Sequence, residues 1–377
     1  MTSSGLKRAV PDFLMPFQES LLVQCHGSQA LDAALLADRD DAGLVITARI
    51  GRGRPEDARL QAFGAAVHLK QSRGFQRPVL LDGSRYSGKN RLAAADPFDL
   101  AWIQRQRDLE LPVLTDSGYV AEGDSAGLVS ILSRAAGLGD AIALLPLHLS
   151  WLRKRPALDV LIQNIAAFGV PVAIVLEYAD DPFSIVGVAD AMLRIVSAGP
   201  PALLLRCDIS ALGALCAGAL SAAVGTTTGL RHLYPTTSGG GGGATPMVAA
   251  VIRECMSYIS LQKIMLAAQA DPDDVLWQCC CEACSRVPIR ELYIHEHERQ
   301  ERLAFVHSVD TLMQLRDALL TPGSTRAQRI QSWHAHCQSA QFRHMEIEST
   351  TDRSEPPTFL RRWQDALAGI VLQQRIR

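Results

Sequence analysis

Apolar residues in the first 235 positions come in short, near-continuous runs, each ending on a polar residue and separated from the next by enough chain for a helix. LVITARI (44–50), PVLLDGS (78–84), PVLTDSG (112–118), AIALLPLH (141–148), PVAIVLEY (171–178), ALLLRCD (202–208) and TGLRHLYP (228–235) are of this kind. A strand with one wet face alternates apolar and polar positions; a run without that alternation is buried on both faces, as in a parallel sheet covered by helices. The intervening ALDVLIQNIAAFG (157–169) and SIVGVADAMLRIVSAG (184–199) have a helical pattern. This leaves a (β/α)8 TIM-type barrel or an open doubly wound sheet. Asp82, Asp116, His148, Glu177 and Asp208 stand at ends of runs, with His232 in the last. In a barrel such ends meet on one face, where active sites are assembled from several strands, so the barrel is the favoured fold. The competing use of any one of these residues is to cap the following helix.

Five consecutive glycines in SGGGGGATP (238–246) exclude a helix or strand interior and end the barrel-like part. Three regions follow from the pattern: a (β/α) barrel over 1–245, a zinc-binding subdomain with a closing helix over 246–320, and a helical C-terminal extension over 321–377. The second is expected to open with a helical segment at 246–269. The third reads as a helix, a polar loop at STTDRSEPP (349–357) and a final amphipathic helix.

With 48% apolar residues the chain can bury a substantial core, and a net charge of −2 excludes a uniformly basic nucleic-acid binder. Arg nevertheless makes up 32 of the 37 basic residues, so local guanidinium patches at 52–59, 153–156 and 326–329 stay open as phosphate contacts or as solvated faces. The opening residues lack a continuous apolar signal, and ISALGALCAGALSAAVG (209–225) is too short and too rich in Ala and Gly for a membrane span. A soluble, cytoplasmic protein without a membrane partner is the expectation.

Four of the nine cysteines fall within six positions of WQCCCEACS, and histidines follow. Clustered Cys and later His in such a protein indicate a metal site rather than a disulfide framework. Cys279, Cys281 and Cys284 give C-x-C-x-x-C, and one later His would complete the closed tetrahedral shell of structural zinc. His295 and His297 lie in polar HEHERQER, whereas His307 follows apolar LAFV and is the better fourth ligand; Cys280, His295 and His297 are then bystanders. Four protein ligands leave no open position, so the expected Zn2+ is structural.

This constellation, placed after a barrel, resembles the zinc subdomain of the tRNA-guanine transglycosylases, which exchange a guanine in RNA for a 7-deazaguanine base. PVLTDSGYV (112–120) is similar to the family's strand ending in L-T-D-S-G-G-F, which implies an acid/base and base-holding role for Asp116. LRHLYPTTSGGGG (230–242) stands in place of the F-D-x-x-x-P-T-R-x-G stretch. The resemblance covers roughly residues 75–320 and further implies a homodimer or heterodimer with tRNA or another nucleic acid as partner.

The sequence also departs from the family. Aligning Pro235 and Thr236 puts Arg231 where the family has its nucleophilic Asp, and a guanidinium offers no lone pair for that role. Tyr119 replaces the second Gly of D-S-G-G, and no paired-glycine base pocket is visible. Three readings follow. The chain exchanges bases by way of another carboxylate, Asp208 or Glu177, with Asp116 as acid or base. Alternatively it is a catalytically inactive transglycosylase-like subunit that binds nucleic acid or a partner, with Arg231 and His232 on a phosphate-binding rim. Outside the family, it is a zinc-stabilised barrel acting on a small molecule through His148, Glu177 and Asp208.

Overall fold

A computed structural model describes residues 10–48, 54–236, 247–279, 281, 284, 288–350 and 355–375, with the backbone alone at 348–350 and 372–375. The chain forms two compact units that divide at Ser238 and Gly239. The glycine run at 238–246 and Cys280 lie outside the described residues.

The first unit is a nearly closed barrel of eight parallel strands in the order β3-β2-β1-β8-β7-β6-β5-β4. They are β1 Ser20–His26, β2 Gly43–Thr47, β3 Val79–Asp82, β4 Val113–Leu114, β5 Ala141–His148, β6 Val172–Glu177, β7 Ala202–Cys207 and β8 Ser221–Gly225. Helices run between them: α1 Ala30–Arg39, α2 Pro55–Val67, α3 Leu100–Asp108, α4 Ser125–Leu138, α5 Ser150–Arg153, α6 Arg155–Phe168, α7 Val188–Val196 and α8 Ala211–Cys216. Two strands differ from the pattern-based expectation. The first, SLLVQCH, was not among the expected runs. The eighth is the small-residue run SAAVG, not 228–235, which forms a short 3-10 turn at Thr228–Leu230 and a single parallel bridge from Leu233 to Glu177.

Strand residues two apart share a face, and that period builds the interior. Leu22, Val45, Leu80, Leu114, Ile142, Leu144, Ala173, Val175, Leu203, Leu205 and Ala223 form one buried cluster, against which Leu14 and Phe17 pack from the turn preceding β1. One further step of two toward the C-terminal ends reaches Gln24, Thr47, Asp82, Asp116 and Glu177. The same periodicity therefore makes the interior apolar and its C-terminal layer polar.

The barrel is open between β3 and β4, and a side chain from α3 covers part of the gap. Gln106 is fully buried, its Nε2 donating to the Leu114 carbonyl at 3.1 Å and its Oε1 accepting the Leu114 N–H at 3.0 Å. The side-chain amide thus meets both backbone groups that a neighbouring strand would pair. Gln106→Leu leaves both buried and unsatisfied, at about 1–3 kcal/mol each, and urea unfolding should show a loss of that order.

In the second unit the segment expected to be helical at 246–269 instead begins with an antiparallel hairpin, β9 Ala249–Ile252 and β10 Ser257–Ser260, followed by α9 Leu261–Ala270. Ser257 and Ile259 are buried while Tyr258 and Ser260 are half-buried, the alternation of a strand with one covered face. Three long helices follow: α10 His297–Leu319, α11 Arg326–Thr350 and α12 Thr358–Arg375. Trp333 and Trp363 join the last two edge to face, ring centroids 6.1 Å apart. No helix among the described residues is long and apolar enough to cross a membrane.

Candidate functional site

At the C-terminal layer of the barrel, each inward carboxylate has its own set of partners. Asp116, at the end of β4, has a wholly buried side chain. Its Oδ2 lies 2.7 Å from Arg85 Nη1 and 3.3 Å from Arg59 Nη2, and its Oδ1 accepts the Asp99 N–H at 3.1 Å. Burial pushes this carboxyl above its ordinary pKa, while Arg85 and Arg59 pull against that shift. Arg59 also pairs with Asp99 at 2.8 Å and stacks over Trp102, so the guanidinium belongs to the interior and not to a nucleic-acid surface. Gly118 is required here because a Cβ would stand 2.0 Å from the Ala93 carbonyl oxygen, where Tyr119 pairs with the 92–94 loop.

Asp82, at the end of β3, accepts from Tyr86 Oη at 2.8 Å, Thr47 Oγ1 at 3.2 Å and the Ser84 N–H at 2.8 Å. Arg206, in the irregular register of β7, has a positive φ of 50° and places its Nη2 2.8 Å from Ser84 Oγ. Gln24 holds that strained backbone by accepting the Arg206 N–H at 2.6 Å. Glu177, at the end of β6, pairs with Arg91 on one oxygen and accepts the Tyr119 hydroxyl on the other. The Arg91 guanidinium lies 3.4 Å from the centroid of the Tyr119 ring. Tyr119, which departs from the expected glycine, is thus the residue that orients Glu177.

Glu177, Arg91 and Tyr119 border an open cleft of about 630 Å³ whose other polar lining includes Glu122, His148, Ser150, Arg153, Lys154, Tyr178 and Thr236. Lys154 pairs with Glu122, and His148 Nδ1 lies 2.8 Å from Ser150 Oγ. The size of the cleft is that of a small-molecule site, and Arg153, which is exposed, is the cation of its lining left without an ion pair among the described residues. Asp116 does not line this cleft, whereas Glu177 does.

The remaining expected residues gather beyond the ends of β7 and β8. Asp208 is half-buried and accepts the Ile209 N–H at 2.7 Å. Its charge acts on buried His232, whose pKa burial lowers, and on Asp181, a residue the pattern did not single out. Burial, and after it the Asp208 charge, pushes the Asp181 carboxyl up to about 7. Arg231 follows the turn after β8, with Nε 3.4 Å from the Gly225 carbonyl. The end of β8 itself carries Gly225, Thr226 and Thr227, with no carboxylate.

In the second unit Cys279, Cys281, Cys284 and His307 converge, their ligand atoms all within 4.8 Å of one another. The three sulfurs lie 3.4, 3.4 and 3.3 Å from His307 Nδ1 and form no disulfide. A tetrahedral ion with ordinary Zn–S and Zn–N bonds separates S from N by about 3.6 Å, so the donor set fits a metal ion. His307 Nε2 lies 2.8 Å from the Val251 carbonyl; donating there leaves Nδ1 to face the sulfurs, the usual arrangement of a ligating imidazole. His307 sits within α10, not at its start, while His297 at the start pairs with exposed Glu301. His297 is therefore outside the cluster, as expected.

Comparison with protein-family models and with curated proteins finds no match for this chain.

Proposed function

We propose that this chain is a transglycosylase-like barrel without base exchange that binds nucleic acid through the cleft over β5 and β6. The observation that carries this reading is the state of the inward carboxylates. Asp116 is held by Arg59 and Arg85, and Glu177 by Arg91 and Tyr119. A nucleophile or proton carrier needs an oxygen that can reach a sugar or base, and these oxygens are already engaged. The end of β8, near the position where the resemblance expects a nucleophile, offers threonines, and Arg231 follows. Arg153, exposed and without an ion pair among the described residues, is the cation left for a phosphate, and Tyr178 offers a face for a base.

For the second unit we infer zinc: three soft thiolates and one imidazole in a closed tetrahedron suit Zn2+ and leave no position for substrate. That ion would hold the hairpin to α10, with Cys279, Cys281, Cys284 and His307 as its ligands. Dimerisation through this unit, which the resemblance implies, belongs to the same proposal.

Incubation with tRNA or duplex DNA and radiolabelled guanine is expected to give no incorporation. Binding should weaken with salt, and Arg153→Ala should reduce the log–log salt slope by about 0.9 on duplex DNA. Label incorporation lost in Asp208→Asn would replace this reading with rerouted exchange. Absence of binding to either nucleic acid would remove both family-based readings.

A further inference from the structure

Two residues of the cleft lining stand at the C-terminal end of β5 in a relation that phosphate binding does not use. β5 ends on His148, and α5 begins two residues later at Ser150. His148 Nδ1 accepts the Ser150 N–H at 3.2 Å and lies 2.8 Å from Ser150 Oγ. An amide N–H only donates, so Nδ1 is the ring nitrogen without a proton. The hydroxyl at 2.8 Å is then left to donate to that same nitrogen. A serine held in this way by an imidazole is a nucleophile with its base in place. The turn from strand to helix sets it on the face of the barrel where active sites are built.

The surroundings suit that chemistry. Glu122 pairs with Lys154 through Oε1, and its Oε2 lies 4.0 Å from His148 Nδ1, so a carboxylate stands beside the charge that an imidazolium would carry. Arg153 follows Ser150 by three residues in α5, on the same side of that helical turn, and both line the cleft. The cleft is open and about 630 Å³ in volume, and the His148 side chain is 38% exposed, so a small molecule reaches the pair from solvent. Charge narrows the reaction. One cation without an ion pair matches the single oxyanion of a carbonyl group, whereas a phosphoryl group spreads its charge over three oxygens and calls for several cations.

We propose that Ser150 is a nucleophile with His148 as its general base, and that the cleft hydrolyses small carboxylic esters. Ser150 Oγ bonds to the ester carbonyl carbon while its proton passes to His148 Nδ1, and the carbonyl π pair becomes an oxyanion that Arg153 stabilises. Collapse breaks the C–O bond to the alcohol, which leaves with the proton from Nδ1, and the acyl group stays on Ser150. Water then adds to the acyl carbon and gives its proton to Nδ1. The acid leaves, and Ser150 recovers that proton. The pair shares the cleft with the proposed nucleic-acid binding but does not depend on it, since no nucleic acid enters the reaction.

The test is covalent labelling of the full chain, without nucleic acid, by an alkyl fluorophosphonate, which traps a serine nucleophile as a phosphonyl ester and releases fluoride. Peptide mass mapping is expected to place the adduct on Ser150. His148→Gln should slow that labelling about 100-fold to 10,000-fold, the usual contribution of a general base. Saturable hydrolysis of p-nitrophenyl acetate is expected in the wild type and should be abolished by the label and in Ser150→Ala. If His148 serves only to cap the first turn of α5, Ser150 stays unlabelled, and that result overturns the proposal. Labelling of Ser150 at an unchanged rate in His148→Gln or in urea overturns it too, as does a labelled Ser150 without ester turnover. Should His148→Gln fail to fold, an unlabelled Ser150 in the wild type overturns it equally.

Discussion

Cys284→Ser should release the metal ion and unfold the hairpin-to-α10 part of the second unit. The expectation rests on where the ligands lie, inside the apolar core that packs the hairpin, α9 and α10 together. Cys281 and Cys284 lie in the same buried cluster as Ile252, Ile264, Trp277, Ile289, Leu292 and Ala304. The ligands themselves are 23 to 28 residues from His307 in sequence. Closing that loop costs entropy, which a metal bond to each side offsets. In small zinc-dependent domains the bound ion contributes roughly 10–16 kcal/mol of apparent folding energy, more than the whole stability of most domains. Metal analysis should find a single ion per wild-type chain and none in the variant, and amide exchange over 249–319 should accelerate strongly. Cys255→Ala is the control, because Cys255 is buried in the same cluster but outside the ligand set and should keep the metal. A Cys284→Ser protein with unchanged exchange over those residues would show that the apolar cluster suffices and that the ion is dispensable.

The residues involved in this prediction were legible in the sequence because ligand spacing is local: C-x-C-x-x-C puts three thiols within six positions, and His307 is distinguished from its neighbours by the apolar stretch before it. Fold class was legible for a similar reason. β2, β3, β5, β6 and β7 are rich in Val, Ile and Leu, and their buried runs stand out. β8 did not stand out because SAAVG is built of small residues and continues the Ala- and Gly-rich α8 region, so nothing local separates strand from helix. The strand-end carboxylates could be read from the same runs, but their partners could not. Arg59, Arg85 and Arg91 come from loops and helices 57, 31 and 86 residues away from the carboxylates they meet. Only closure of the barrel brings those charges together, and it places Asp116 at the centre of an ion-pair network. Asp181 was hidden differently, since a D-P-F turn reads as an ordinary helix start and its side chain does accept the Phe183 N–H.

Asp116→Ala should then act on stability before it acts on any chemistry. The carboxylate is wholly buried, and the side chains of its partners Arg59 and Arg85 are only 11% and 21% exposed. Removing it leaves two largely buried guanidiniums short of a partner. Arg59 retains Asp99 at 2.8 Å, whereas Arg85 retains the Pro97 carbonyl at 3.1 Å. Removing one member of a buried pair typically costs about 3–5 kcal/mol, and at roughly 2–4 °C per kcal/mol for a domain of this size the melting point should fall by about 6–20 °C. Asp116→Asn should fall by less. It keeps an oxygen for one guanidinium and relieves the burial of a charge, the largest influence on the Asp116 pKa. The pH dependence has a defined sign: a carboxyl whose folded pKa is raised binds its proton more tightly when folded. Its contribution to stability is greatest below the unfolded value and declines as pH rises through the folded one. Asp116→Asn should lack that decline. Thermal melts of the three proteins between pH 4 and pH 8 measure both effects. If Asp116→Ala melts at or above the wild-type temperature, the carboxylate is being held at a cost, as functional groups are, and the base-exchange reading gains over the binding one.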